Sequence, residues 1–234
     1  MEPTEKHKLI NPKLPLRILM ILLICMADIA WSATVLYAWK NNGTVISVKT
    51  ASDNIPGIFM QNVIVSAVPI LLFIICLIVL KKQFFSQMYF QVCSKKQAII
   101  IAVLSAILIL LALYCLVTKA DKITVLYNLL YYTVFIAFTE EFVVRDVCTY
   151  LLRAEKSSLR YLIPNVLFAA MHIFSYAGWG TITLHYLITF VFSQMLGLIA
   201  MGCIFQFLKE KSGTIWVPVL VHAILDFSVV LGYK

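Results

Sequence analysis

Seven runs of predominantly apolar residues, at about 17–39, 58–80, 98–118, 123–153, 161–178, 183–208 and 214–233, occupy most of this 234-residue chain. About 20 apolar residues in a helix span the hydrocarbon core of a bilayer, and in lipid a backbone satisfies its own polar groups only as helices or closed barrels. The runs therefore predict an all-α fold, a polytopic membrane bundle of about seven transmembrane helices. They leave too little chain for a soluble catalytic unit, so residues 1–234 read as a single integral-membrane domain. A mean hydropathy of +0.94 agrees with this. Any chemistry falls to side chains inside the bundle.

The net charge of +8 raises the question of a nucleic-acid partner. Its distribution answers otherwise, because the basic residues alternate from loop to loop. Lys6, Lys8, Lys13, Arg17, Lys81, Lys82, Lys95, Lys96, Arg153, Lys156, Arg160, Lys209 and Lys211 fall on one set of loops, and only Lys40, Lys49, Lys119, Lys122 and Lys234 on the other. The positive-inside rule then places the N-terminus in the cytosol and the C-terminus outside. A multi-pass protein of the cell membrane, or of an internal membrane if the source is eukaryotic, is expected, with membrane lipid and no nucleic acid as partners. The "AWSA" stretch resembles a signal-peptide cleavage site, but its apolar run continues to Trp39 and is long enough to span.

Smaller features add little chemistry. The six cysteines stand singly, without metal-ligand spacing, and are expected to pack as free thiols. Asn42-Gly43-Thr44 is a formal glycosylation sequon that reads more simply as an Asn-Gly turn. The aromatic residues between the lysine pairs of "KKQFFSQMYFQVCSKK" suggest an element lying along the interface. Ser193 with Gly197, and Ala102 with Ala106, have the small-xxx-small spacing that lets helices approach closely.

Against this background "FTEEFVVRDVCTY", residues 138–150, collects Glu140, Glu141, Arg145 and Asp146 inside a spanning segment. A charged group at the bilayer centre costs about 2.5–3.5 kcal/mol on translocon scales, so such residues face the bundle interior and need partners. Glu141 and Arg145, at i and i+4, are expected to pair as a structural brace, while Glu140 points about 100° away and is free for another task. His172 and His222 lie in later runs. At 1.5 Å per residue, Glu140, His172 and His222 come out at roughly 20, 16 and 12 Å from the cytosolic ends of their helices. Asp226 shares a face with His222, and Phe168 with His172. Asp146 is expected to meet a basic group near the inner interface. Asp28 reads as an interhelical hydrogen-bonding partner or a pocket residue, and His185 as interfacial.

The order EExxxR (Glu140, Glu141, Arg145), FxxxH (Phe168, His172) and HxxxD (His222, Asp226) resembles the CPBP intramembrane proteases, the family of CAAX prenyl proteases and bacteriocin-processing enzymes also called Abi. The motifs cover residues 135 to about 227, within a family-like core of about 123–233. The resemblance implies an intramembrane endopeptidase, a CAAX prenyl endopeptidase-like peptide hydrolase cutting near the C-terminus of a prenylated CAAX-type or other lipidated or membrane-associated peptide. It implies that Glu140 and His172 activate water without a cofactor, and that His222 and Asp226 stabilise the oxyanion, with Glu141 and Arg145 in supporting positions. Asp226 stands where asparagine would donate a hydrogen bond directly, and an aspartate donates only when protonated. It is therefore expected to orient or charge His222. Two alternatives are a zinc-dependent protease, with His172, His222 and Glu140 as ligands, and a non-catalytic bacteriocin-immunity or membrane-interaction protein.

Overall fold

A computed structural model describes residues 13–43, 45–173 and 183–233. The protein is 86% helical and, among the described residues, without strands. Helix α1 (Leu14–Asn41) starts with a proline in its first turn, where the missing N–H is not needed. Helices α2 (Ile55–Val65) and α3 (Ala67–Leu80) form a pair bent by 61°. Pro69 cannot donate to the carbonyl of Val65, and the helix breaks at Ser66 between them. Helix α4 (Lys95–Thr118) opens with a reciprocal Ser94–Gln97 capping box.

Helix α5 (Lys122–Leu151) is capped by Asp121, whose carboxylate accepts from the Thr124 N–H at 2.9 Å and from the Ser52 hydroxyl. Those hydrogen bonds hold the Asp121 carboxyl below the usual carboxylate range. Helix α6 (Ser157–Met171) follows. Helix α7 (Leu184–Ser212) ends at Gly213, whose φ of +70° suits glycine, and α8 is Trp216–Gly232.

Helices α1, α4, α5 and α7 are each long and apolar enough to cross a membrane, and the bent α2–α3 pair is a fifth candidate. At 15 residues, α6 is shorter than the roughly 20 that a span needs. Helix α8 is also short of that length. A count of seven crossings and a cytosolic N-terminus rest on the sequence pattern alone. Large apolar side chains stand exposed along the long helices, Val117, Leu184 and Phe192 among them, as expected of surfaces that meet lipid. The chain is a multi-pass membrane protein. Lys6, Lys8, Thr44 of the sequon, residues 174–178 of the fifth run and Lys234 lie outside the described residues.

Helix α5 is the centre of the bundle. Its apolar window is 39% buried, against 11–17% in α1, α4 and α7. Every residue from Glu141 to Thr149 is buried, so the polar side chains of this stretch must find their partners inside the protein. Helix α8 packs on α4 and on the first half of α5, while α6 packs on α7. Phe73, Phe84, Phe90, Phe138, Phe142 and Trp216 form an aromatic cluster between them, with Phe138 and Phe142 stacked at 6.2 Å.

Two sequence expectations meet packing detail here. In the 81–96 segment Phe84 and Met88 are buried in the core while Phe85 and Tyr89 stay exposed, and the Tyr89 and Phe90 carbonyls accept hydrogen bonds from α8 and the residue before it. Gly197 and Ser193 do not bring helices together, since a Cβ on Gly197 would meet nothing within 4 Å. Ala102 and Ala106 are exposed as well. The close approach occurs instead at Gly202. All six cysteines are free thiols; Cys25, Cys115 and Cys148 are buried as expected, whereas Cys93 is exposed.

Candidate active site

Glu140 and Glu141 occupy a single α-helical turn, Thr139–Glu141, between two π-helical stretches of α5, Tyr131–Phe138 and Phe142–Cys148. Such wide turns recur at functional sites, because they displace the backbone ladder and re-aim side chains. The two adjacent carboxylates reach opposite sides of one imidazole. Glu141 Oε1 lies 3.0 Å from His222 Nδ1, and Glu140 Oε2 lies 3.8 Å from His222 Nε2. Asp226, one turn further along α8, puts Oδ2 at 3.3 Å from the same Nε2. The Glu141 side chain is fully enclosed, whereas 28% of the Glu140 side chain is accessible from a cavity.

Glu141 uses its second oxygen as well, with Oε2 at 3.3 Å from Arg145 Nε. It is therefore shared between Arg145 and His222, more than the simple brace that i,i+4 spacing suggests. The Arg145 guanidinium is enclosed by aromatic faces, 4.5 Å from the Phe168 ring and 5.5 Å from that of Phe205. Phe205 also stacks on His222 at 4.9 Å, and Phe168 meets His172 edge-on at 4.6 Å. The FxxxH pair is thus a contact in which one phenyl ring positions both a histidine and the buried arginine.

A cavity of about 430 Å³ opens beside these groups, with Glu140, His172, His222 and Asp226 on one side and Ser193, Gln194 and Gly197 of α7 on the other. Ser193 and Gln194 belong to a third π stretch, Val191–Met195. His172 lies close enough to Glu140 for their charges to interact, as does Asp28 on α1. Of the sequence-predicted residues, Glu140, His172, His222 and Asp226 share the cavity, while Glu141 and Arg145 lie behind it. His185 is exposed and takes no part in the cavity wall.

Ring tautomers follow from the partners. The Phe168 carbonyl, 2.9 Å from His172 Nδ1, can only accept, so Nδ1–H donates and a neutral His172 carries its lone pair on Nε2. An ionised Glu141 likewise accepts from His222 Nδ1–H, and that leaves Nε2 as the nitrogen facing Glu140, Asp226 and the cavity. Among the described residues, no group of three His, Cys, Asp or Glu stands closely enough together to hold a metal ion. The zinc set His172, His222 and Glu140 is therefore not preassembled in this geometry.

Asp146 finds Lys209 of α7 at 2.6 Å, both side chains being almost wholly enclosed. Lys209 also donates to the Arg145 carbonyl, which the Thr149 hydroxyl shares. That oxygen sits in a π stretch where the usual backbone ladder is displaced. Sequence reasoning placed a basic partner near Asp146 without naming it, and it missed Phe205, Asn165 and Gly202.

Residues 122–228 match the family described as type II CAAX prenyl endopeptidase Rce1-like. Over that segment the chain is similar to the Rce1-like family. Neither a curated protein nor a solved structure matches the chain. The Rce1-like segment runs from the start of α5 into the end of α8, so it contains the whole polar cluster and excludes α1 to α4. The Rce1-like family is a protease family, which fits a membrane-embedded cavity bearing paired acid–base groups.

A Cβ on Gly202 would approach Arg145 Nη2 to 2.8 Å and would press on the Asn165 amide. Gly202→Ala should therefore overpack the Arg145 layer and lower stability by about 1–3 kcal/mol. Thermal unfolding in detergent should show the loss, with Gly197→Ala as the neutral comparison.

Proposed function

We propose that the protein is an intramembrane endopeptidase that hydrolyses a peptide bond near the C-terminus of a prenylated CAAX-type or other membrane-associated peptide, using a water activated by Glu140. The observation that carries this reading is the convergence of Glu140, His172, His222 and Asp226 on one cavity, borne by three separate helical segments. A water held between Glu140 and His172 gives a proton to the Glu140 carboxylate while its oxygen attacks the peptide carbonyl carbon. The negative charge gathers on the carbonyl oxygen beside His222 Nε2–H. The proton then passes from Glu140 to the leaving nitrogen as the C–N bond breaks, which returns the carboxylate and yields a new acid and amine. Positioned acid–base groups of this kind typically contribute about 10²–10⁴ in rate.

Because Nδ1–H is committed to Glu141, an Nε2–H on His222 requires the imidazolium. Three carboxylates surround that ring, from Glu140, Glu141 and Asp226. Asp226 then acts by holding charge on His222 rather than by donating to the substrate. The family resemblance supports peptide hydrolysis, and the apolar helix surfaces support a lipid-borne substrate drawn from the surrounding membrane, whether the cell membrane or an internal one.

Glu140→Gln is expected to reduce cleavage of a farnesylated C-terminal peptide by the purified protein at least about 10²-fold, with His172→Ala similarly affected and chelator without effect. Retained cleavage in Glu140→Gln would refute the mechanism, and chelator-reversible loss with bound zinc would assign it to a metal. A cellular phenotype that survives Glu140→Gln with normal expression would point to the non-catalytic immunity role.

Asp226→Asn separates charge from donation. Loss of charge on His222 should lower kcat toward the about 10²-fold cost of losing one oxyanion donor and alter the pH–rate profile. Unchanged kcat would assign direct donation to the residue at this position.

A further inference from the structure

A second cavity, of about 290 Å³, lies at the ends of α5 and α7 and the start of α6, and it shares no lining residue with the first. Its charged residues are Asp146, Arg153, Arg160, Lys209 and Glu210. We propose that this cavity binds the phosphate of an anionic membrane-lipid headgroup.

The charge accounting points to an anion. Asp146 and Lys209 neutralise each other at 2.6 Å. Glu210 is engaged by Gln206 Nε2 at 2.9 Å, by the Tyr161 hydroxyl at 3.1 Å and by Arg160 Nη2 at 3.8 Å. Arg153 lies over the Tyr150 ring at 3.9 Å and donates Nη1 to the Tyr150 carbonyl at 2.9 Å, which fixes its guanidinium while leaving other N–H groups of the fork available. Arg160 Nε is buried without a hydrogen bond among the described residues. With Asp146 balanced by Lys209 and Glu210 by one arginine, one positive charge remains over. The unspent groups are mainly guanidinium donors, whose planar geometry suits phosphate oxygens.

Location identifies the source of that phosphate. Arg153, Lys156, Arg160, Lys209 and Lys211 lie at the ends of the apolar helices α5 and α7 and at the start of α6. Basic residues at the ends of apolar helices suit the level of lipid phosphates, and basic pockets between transmembrane helices recognise anionic headgroups. The volume falls at the low end of small-molecule sites, so it suits a headgroup whose acyl chains remain outside along the bundle. A bound headgroup would join α5, α6 and α7, the helices that carry Glu140, the approach to His172 and the far wall of the first cavity. The site does not depend on the proposed protease activity.

The test uses the full-length protein reconstituted in phosphatidylcholine with and without phosphatidylglycerol, then released into the gas phase for native mass spectrometry. Wild type should retain phosphatidylglycerol in preference to phosphatidylcholine. Arg160→Gln and Arg153→Gln should each weaken that retention about tenfold, whereas Lys156→Gln, which removes a neighbouring exposed charge outside the cavity, should not. Circular dichroism confirms that each variant is folded. Equal retention by wild type and both arginine variants, or equal loss in Lys156→Gln, would overturn the site. Protection by inorganic phosphate with no phosphatidylglycerol retained would overturn the lipid source while leaving a soluble phosphate as its occupant.

Discussion

Glu141 is the fixed point of the structure. Its carboxylate has no accessible surface, and it is held by Arg145 on its own helix and by His222 from a helix 81 residues further along the chain. Removing one partner of a buried ion pair typically costs about 3–5 kcal/mol, because the other charge is left without water or counter-charge. This cost sets the register of α8 against α5, since a slip along either axis would strand a charge in an apolar interior. Arg145 is bounded by Phe168 and Phe205, so the same interaction also fixes where α6 and α7 lie. His222 Nε2 then faces the cavity as a consequence of what its other nitrogen does.

The second determinant is the backbone of α5. Two π stretches flank the turn that carries the paired glutamates, so adjacent residues reach opposite edges of one ring. Regular helix geometry gave the correct qualitative result, one carboxylate toward Arg145 and the other free. It could not show that both meet the same histidine. The Arg145 carbonyl, displaced from its ordinary ladder, is served by Lys209 and Thr149, and this ties the glutamate layer to the Asp146–Lys209 pair below it. Function-bearing irregularity is thus compensated by Lys209 from α7 and by Thr149 one turn along α5 itself.

Much of this was legible in the chain because the membrane makes polar residues costly and therefore informative. The helical fold followed from apolar runs, and the polar cluster from ionisable residues at similar depth in separate runs. Boundaries agreed closely for α5, where 123–153 was expected and Lys122–Leu151 is found. What was not legible depends on packing between distant segments. Phe205 and Gly202 look like ordinary members of an apolar helix until Arg145 is placed beside them. The burial of Phe84 and Met88 was hidden by the lysines of the 81–96 segment, because composition cannot distinguish an aromatic residue at the interface from one inserted under a helix end. The small-residue spacing at Ser193 and Gly197 was a true signal misassigned: those residues border a cavity rather than another helix.

The shared carboxylate of Glu141 is tested most directly by nitrogen NMR of the His222 ring in the folded protein, with Glu141→Ala as reference. A protonated Nδ1 in the wild type at neutral pH, lost or mixed between tautomers in the variant, is the expected result. A bare Nδ1 in the wild type, or a ring whose signals do not change when Glu141 is removed, would contradict the arrangement on which the orientation of His222 and the chemistry of the cavity depend.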